Sequence, residues 1–130
     1  MSEQATRGPL SRIGLGATAA DVAEVLAGAG VHTVEVATPD LQGRLRGKRV
    51  PVGRFCDSVL EGGVNIADAI FVFDIADEIT DNPYINMEAG YLDCTLRPRL
   101  ETARLLPHRP GYAIVFADAY GEEGLHPISP

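Results

Sequence analysis

Residues 31–52 constrain the fold more than any other stretch of the chain. An apolar run from Val31 to Ala37 leads into Thr38-Pro39-Asp40-Leu41-Gln42-Gly43, and a second run extends from Arg44 to Val52. In the first run His32, Val34 and Val36 alternate with Thr33, Glu35 and Ala37, which is the period of a strand. Pro39 presets φ, Asp40 can bond its own backbone and Gly43 tolerates positive φ, so the pattern predicts a turn at 38–43 with a strand on each side. The second strand is strongly basic. Arg44, Arg46 and Lys48 share one face, and Leu45, Gly47 and Arg49 share the other. With Arg54, these cations are five of the chain's 11 Lys and Arg, gathered within eleven residues. Two readings stay open: a solvated edge strand whose charges block aggregation, or a contact with an anion, an acidic neighbour or another subunit.

The rest of the chain surrounds this hairpin with an α+β pattern. At 130 residues, 45% hydrophobic and 22% charged, the sequence suits one globular domain with a modest core. Residues 1–16 are polar and Gly-dotted and read as a flexible leader. Thr18 with Asp21 forms a capping-box pattern before Val22, Val25, Leu26 and Ala29, predicting a helix that ends at Gly28–Gly30. A second helix is expected from Pro51 to Gly62, with Val52, Phe55, Cys56, Val59 and Leu60 as its apolar stripe. Ala69 to Ile75 is apolar almost throughout and reads as an inner strand. A long loop is expected from Ile79 to Gly90 and a short strand at Leu92, Cys94 and Leu96. Glu101 to Leu106 reads as one or two helical turns, and Tyr112 to Ala119, apolar on both faces, as a central strand.

Charge narrows the function. The formal net charge of −7 argues against a nucleic-acid partner, which requires a broad basic face. No stretch approaches a membrane span, and the N-terminus has no apolar core of a signal peptide, so a cytoplasmic protein is expected. Between Phe55 and Leu96 there are nine acids and no Lys or Arg. A basic hairpin followed by an acidic half fits complementarity within the chain or head-to-tail between copies.

Chemistry-bearing motifs are sparse. His32, His108 and His126 have no partners at metal-ligand spacing, and Asp77-Glu78 and Glu122-Glu123 are adjacent pairs that point apart on a strand, so no metal site is predicted. Gly14-Leu15-Gly16 and Gly28-Ala29-Gly30 do not link a strand to a following helix as a phosphate loop requires. Cys56 falls on the apolar stripe of its helix. With Cys94 it reads as a reduced, buried small hydrophobe, a disulfide being the less favoured alternative.

The ordered motifs carry a resemblance. Val34-Glu35-Val36-Ala37-Thr38-Pro39-Asp40, then Gly43, then Arg46-Gly47-Lys48 and Pro51, resembles the N-terminal β-grasp domain of the glutamine synthetase family, closest to its glutamate–putrescine and glutamate–amine ligase branch. The likeness continues through Gly90-Tyr91-Leu92-Asp93-Cys94-Thr95-Leu96-Arg97-Pro98 with Thr102, Leu105 and Pro107. Val115-Phe116-Ala117-Asp118 and His126-Pro127-Ile128-Ser129-Pro130 are similar to the exit toward the catalytic domain. It implies a β-grasp-like small mixed sheet with one or two packed helices over 17–120, then a truncated linker, 121–130, toward a catalytic domain that is absent.

By the same resemblance, full-length members phosphorylate the γ-carboxyl of glutamate with ATP, let ammonia or an amine displace the phosphate, use Mg²⁺ or Mn²⁺, and assemble as rings in which this domain covers a neighbour's active site. The ATP and metal ligands lie in the catalytic domain, so this segment alone is expected to bind no cofactor and to be inactive. The Asp-Gly-Ser-Ser motif of ammonia-using members is missing. The region reads Gly63-Val64-Asn65-Ile66-Ala67-Asp68-Ala69, which makes Asn65 and Asp68 the expected amine-facing residues. Arg46 and Lys48 are the expected subunit contacts. The rival expectation is a free-standing β-grasp module for protein interaction or regulation, without catalysis.

Overall fold

A computed structural model describes residues 8–14 and 16–130. The first helix, α1 (Ala19–Gly28), begins as its sequence requires. Thr18 Oγ1 accepts from the Asp21 backbone N–H while the Asp21 carboxylate accepts from Thr18 N–H, a complete capping box. Val22, Val25 and Leu26 form its buried stripe.

Strands β1 (Thr33–Pro39) and β2 (Leu45–Pro51) pair antiparallel, with Thr38 opposite Arg46 and Ala37 opposite Gly47. The turn between them closes through Gly43 N–H to Asp40 O and Asp40 N–H to Arg44 O. A second helix, α2, runs without a break through Val52–Arg54, Phe55–Val59 and Leu60–Gly62. Its middle section is π-helical, and it buries Phe55, Cys56 and Val59. The chain continues as β3 (Val64–Ala67), a 3₁₀ turn (Asp68–Phe71), the long loop, β4 (Asp93–Pro98), a 3₁₀ turn (Leu100–Thr102), β5 (Arg104–Leu105), β6 (Tyr112–Gly121) and β7 (Gly124–Leu125).

The sheet order is β2-β1-β6-β4-β3, with β5 and β7 also pairing to β6. Only β1 and β6 run parallel, as expected for strands separated by crossover helices; the other pairs are antiparallel. Period-2 alternation then sorts the side chains. Val34, Val36, Val50, Leu96, Ala113, Val115, Ala117 and Ala119 face the helices and join one buried cluster with Val22, Leu26, Phe55 and Val59. Burying each of the larger of these side chains contributes roughly 1.5–3 kcal/mol, and this cluster holds both helices on one sheet face.

Three expectations need correction. The apolar run from Ala69 to Ile75 is not a strand. Its residues Ala69–Val72 are all buried, but as a 3₁₀ turn and its exit, and the strand lies earlier at Val64–Ala67. A continuous apolar run reports burial on all sides and cannot by itself distinguish strand from turn. The leader expected over 1–16 lies partly outside the described residues. Where it is described, a 3₁₀ turn (Gly8–Arg12) and the residues after it bring Leu10 and Ile13 into the core. Within 101–106, a single turn gives way to β5, because Thr102 Oγ1 accepts from Phe116 N–H and returns the chain to the edge of β6.

Candidate functional site

The basic hairpin is organised around Asp40. This carboxylate is only 3% exposed. Its Oδ1 accepts from the backbone N–H groups of Gln42 and Arg44 at 2.9 and 2.8 Å, and its Oδ2 accepts from Arg46 Nε at 3.0 Å. Burial alone would raise the pKa of Asp40. The Arg44 backbone N–H, the Arg46 guanidinium and the Gln42 N–H outweigh it and hold the carboxyl below its usual range.

Arg46 also donates to Asp77, which Arg44 reaches at 2.8 Å, and its guanidinium lies 5.4 Å from the Phe73 ring centre. The Arg46 hydrogen bond is the main cause of Asp77's lowered pKa. Internal complementarity is therefore realised for Arg44 and Arg46, which fasten the hairpin to the acidic loop. Lys48 is exposed and makes no side-chain hydrogen bond or ion pair among the described residues. Arg49 and Arg109 share Glu35 Oε1 on the opposite sheet face, at 3.0 and 2.6 Å, and both lie near the Tyr112 ring.

A second site forms where β7 folds back on β6. The turn after β6 folds β7 back so that Tyr120 faces Leu125, and His126 N–H bonds Ala119 O. This sets the His126 ring against Phe71, with centres 5.1 Å apart. Its Nε2 stands 3.6 Å from Asp68 Oδ2, and the two side chains are 9% and 12% exposed. Asp68 is anchored by its own N–H bonding Leu92 O. Burial raises the Asp68 pKa, His126 partly counters it, and Asp93 adds to the rise. Asp68, Leu92, Asp93, the Gly121–Gly124 turn, Leu125, His126 and Pro127 line a cleft of about 330 Å³.

Of the two residues expected to face an amine, the structure places Asp68 in this cleft. Asn65 lies elsewhere, exposed on β3, where its Oδ1 accepts from Thr95 Oγ1 at 3.2 Å. His126 is the residue that sequence reasoning passed over. The segment expected to be a plain linker, 121–130, instead supplies a strand and a buried imidazole. Among the described residues, no group of three or more His, Cys, Asp or Glu is placed to hold a metal ion, and none of their helices is long and apolar enough to cross a membrane. Cys56 and Cys94 are both free and buried, and burial is the main cause that pushes the Cys94 thiol up to about 11.

The molecule is thus an α+β domain of the β-grasp kind, a mixed sheet backed on one face by two helices, with an ion-paired hairpin and an acidic cleft. No family model matches the sequence. The chain is 37% identical over 102 residues to γ-glutamylethanolamide synthetase GlnA4 of Streptomyces coelicolor, covering 77% of this chain and 22% of that protein. It is 30% identical over 89 residues to a glutamate–isopropylamine ligase of a Pseudomonas species, covering 68% and 19%. It is 32% identical over 92 residues to type-1 glutamine synthetase 2 of Dictyostelium discoideum, covering 70% and 18%. The fold recurs in the solved GmaS/ADP complex, with TM-score 0.65 and 24% identity over 85% of this chain and 23% of that one. It recurs again in a glutamine synthase homologue, with TM-score 0.63 and 21% identity over 77% and 24%. The chain belongs to the glutamine synthetase family, and it spans about a fifth of the length of the relatives it matches.

Proposed function

We propose that this chain is the N-terminal domain of a glutamine-synthetase-like, ATP-dependent ligase that joins the γ-carboxyl of glutamate to ammonia or an amine, and that it covers the active site of a neighbouring subunit. The observation that carries the reading is the identity of 30% or more to three ligases or synthetases of this family, two of them named for amine-derived products or substrates. ATP and Mg²⁺ or Mn²⁺ would activate the glutamate carboxyl. The described residues offer no carboxylate group that fits such a metal, so no chemical step is assigned to them. This domain's part is to close over the site, with Asn65–Asp68 nearest the incoming amine, and to keep water from an acyl-phosphate.

Arg46 and Lys48 mark the proposed subunit boundary. Arg46 already serves the hairpin, so its contribution there is indirect, through the shape of the β2 edge. Lys48 is free to reach a neighbour. In a complete enzyme, Lys48→Ala, and more strongly Arg46→Ala with Lys48→Ala, is expected to shift sedimentation from rings toward smaller species while the circular dichroism of Lys48→Ala stays unchanged. Intact rings in both variants would remove the hairpin from the interface.

A further inference from the structure

The sheet face away from the helices carries a pair of arginines that the proposed function leaves unused. Glu35 Oε1 accepts from both Arg49 Nε and Arg109 Nη1. One carboxylate against two guanidiniums leaves one positive charge unbalanced, in a chain whose net charge is −7. Each guanidinium spends one N–H on Glu35 and makes no other hydrogen bond among the described residues. A guanidinium has five N–H donors, so most of both forks is free. The two side chains are 61% and 39% exposed, which leaves them open to a ligand. They are also held in place. Both lie against the Tyr112 ring, at 6.0 and 5.1 Å from its centre, and His32 packs edge-on against the same ring at 5.2 Å. Arg109 sits in a turn, its N–H bonding Leu106 O and its carbonyl accepting from Tyr112 N–H.

Beside this pair the sheet face dips. Glu35 and Arg49 are cross-strand partners, as are Ala37 with Gly47 and Pro39 with Leu45. The small middle pair between two larger ones leaves a groove of about 430 Å³, bordered by Glu35, Arg49, Ala37, Gly47, Leu45 and Ile114. Leu45 is 47% exposed and supplies an apolar wall, and Ala37 and Ile114 are buried beneath. A groove of this size falls within the range of small-molecule sites.

We infer that this groove binds a small organic carboxylate, whose oxygens accept from Arg49 and Arg109 while its apolar body lies over Gly47 against Leu45. Two features select this chemistry. A carboxylate matches the arginine fork in shape, and its single charge balances the one that Glu35 leaves over, whereas a phosphate dianion would leave an excess negative charge beside Glu35. The apolar wall then favours a monoanion with a hydrocarbon body over a bare ion. Because the arginines are positioned by Glu35, Tyr112 and the Leu106–Tyr112 turn, little ordering is needed when the ligand arrives. The site uses none of the groups placed near the amine in the ligase reading and stands independently of it.

The test is a titration of the 130-residue chain with 3-phenylpropionate, followed by two-dimensional ¹H–¹⁵N NMR that includes the arginine Nε–H signals. Saturable shifts are expected at the Arg49 and Arg109 side chains and at residues 45–49 and 109–114. Acetate, which lacks the apolar body, and 3-phenylpropanamide, which lacks the charge, should each bind at least about tenfold more weakly. Arg49→Gln and Arg109→Gln should each weaken phenylpropionate binding about tenfold, and Leu45→Ser about threefold. Glu35→Gln keeps an accepting oxygen but removes the competing charge, so it should tighten binding about threefold. That variant moves affinity in the opposite direction, so a loss of folding in an arginine variant cannot imitate the full pattern. Equal affinity for acetate would mean an adventitious ion only and would overturn the proposal. So would the absence of saturable shifts, tighter binding of inorganic phosphate at the same residues, or weaker binding in Glu35→Gln.

Discussion

Gly47 offers the sharpest test of the hairpin's architecture. A Cβ built there would lie 1.8 Å from Val36 O, 2.8 Å from the Val36 carbonyl carbon and 2.9 Å from Ala37 Cα. All three are backbone atoms of the paired strand, so no side chain can turn aside. A carbon meets a carbonyl oxygen comfortably at about 3.3 Å or more, so β1 and β2 would have to part by roughly 1.5 Å. Hydrogen bonds of about 2.9 Å do not survive that movement. Losing the two ladder bonds that flank the Ala37–Gly47 pair costs about 2 kcal/mol, and the local overpacking adds about 1–3 kcal/mol. Gly47→Ala should therefore destabilise the chain by roughly 3–5 kcal/mol, a large share of the total stability of about 5–15 kcal/mol usual for a domain. Two other glycines calibrate the effect. Gly43 has φ +79° in open space, so Gly43→Ala should cost only about 1–2 kcal/mol. Gly53 lies in α2 with nothing near its absent Cβ, so Gly53→Ala should be neutral or stabilising by up to about 1 kcal/mol. Urea unfolding followed by far-ultraviolet circular dichroism measures all three. If Gly47→Ala stays within about 0.5 kcal/mol of the parent, or costs less than Gly43→Ala, the close strand approach is not what requires glycine there.

Two further outcomes follow from buried ionisable groups. Burial raises the Asp68 pKa in the folded chain, so folding favours its protonated form and stability falls as pH rises through the range where Asp68 ionises. Asp68→Asn should thus raise the urea midpoint at neutral pH and leave it unchanged well below the carboxylate range; an equal gain at both would show that its charge is not the cause. Cys94, raised from 9.0 to about 11 by burial above all, should resist alkylation in the native state at mildly alkaline pH and react once urea unfolds the chain. Its contribution to stability is present below 9 and declines between 9 and about 11. Native-state alkylation as fast as in urea would contradict its burial.

Most of the fold was legible because its signals are local. The capping box of Thr18 and Asp21, the turn chemistry of Pro39, Asp40 and Gly43, and the two-sided apolarity of Tyr112–Ala119 each fix an element within a few residues. Where the sequence misled, the missing information was tertiary. Ala69–Val72 is apolar because the core surrounds a turn, and four residues of β3 are too few for alternation to stand out. Leu10 and Ile13 lie in a short Gly-dotted stretch with no strand or helix period, and nothing local says that the core receives them. The cleft was less legible still. Asp68 could be named only through the family resemblance, and His126 reaches it only because β7 reverses on β6. No spacing rule links residues so far apart in the chain.

The Arg46-Gly47-Lys48 tripeptide, one part of the ordered set of motifs that carries the family resemblance, divides into three roles. Arg46 is explained by folding: Asp40, Asp77 and Phe73 hold it, and it ties the hairpin to the acidic loop. Gly47 is explained by folding as well, through the approach of the Val36 carbonyl. Lys48 is not. It shares the helix-side face with Val50 and Arg46, opposite Val36, yet it is exposed and takes no partner among the described residues. A charge on an edge strand has one generic purpose, to discourage unwanted pairing, and Arg49 on the same strand already serves it. Lys48 is therefore where a requirement from outside this domain is most economically sought, and Lys48→Ala, which disturbs neither the Arg46 clasp nor the Gly47 contact, separates a subunit role for the hairpin from a purely structural one.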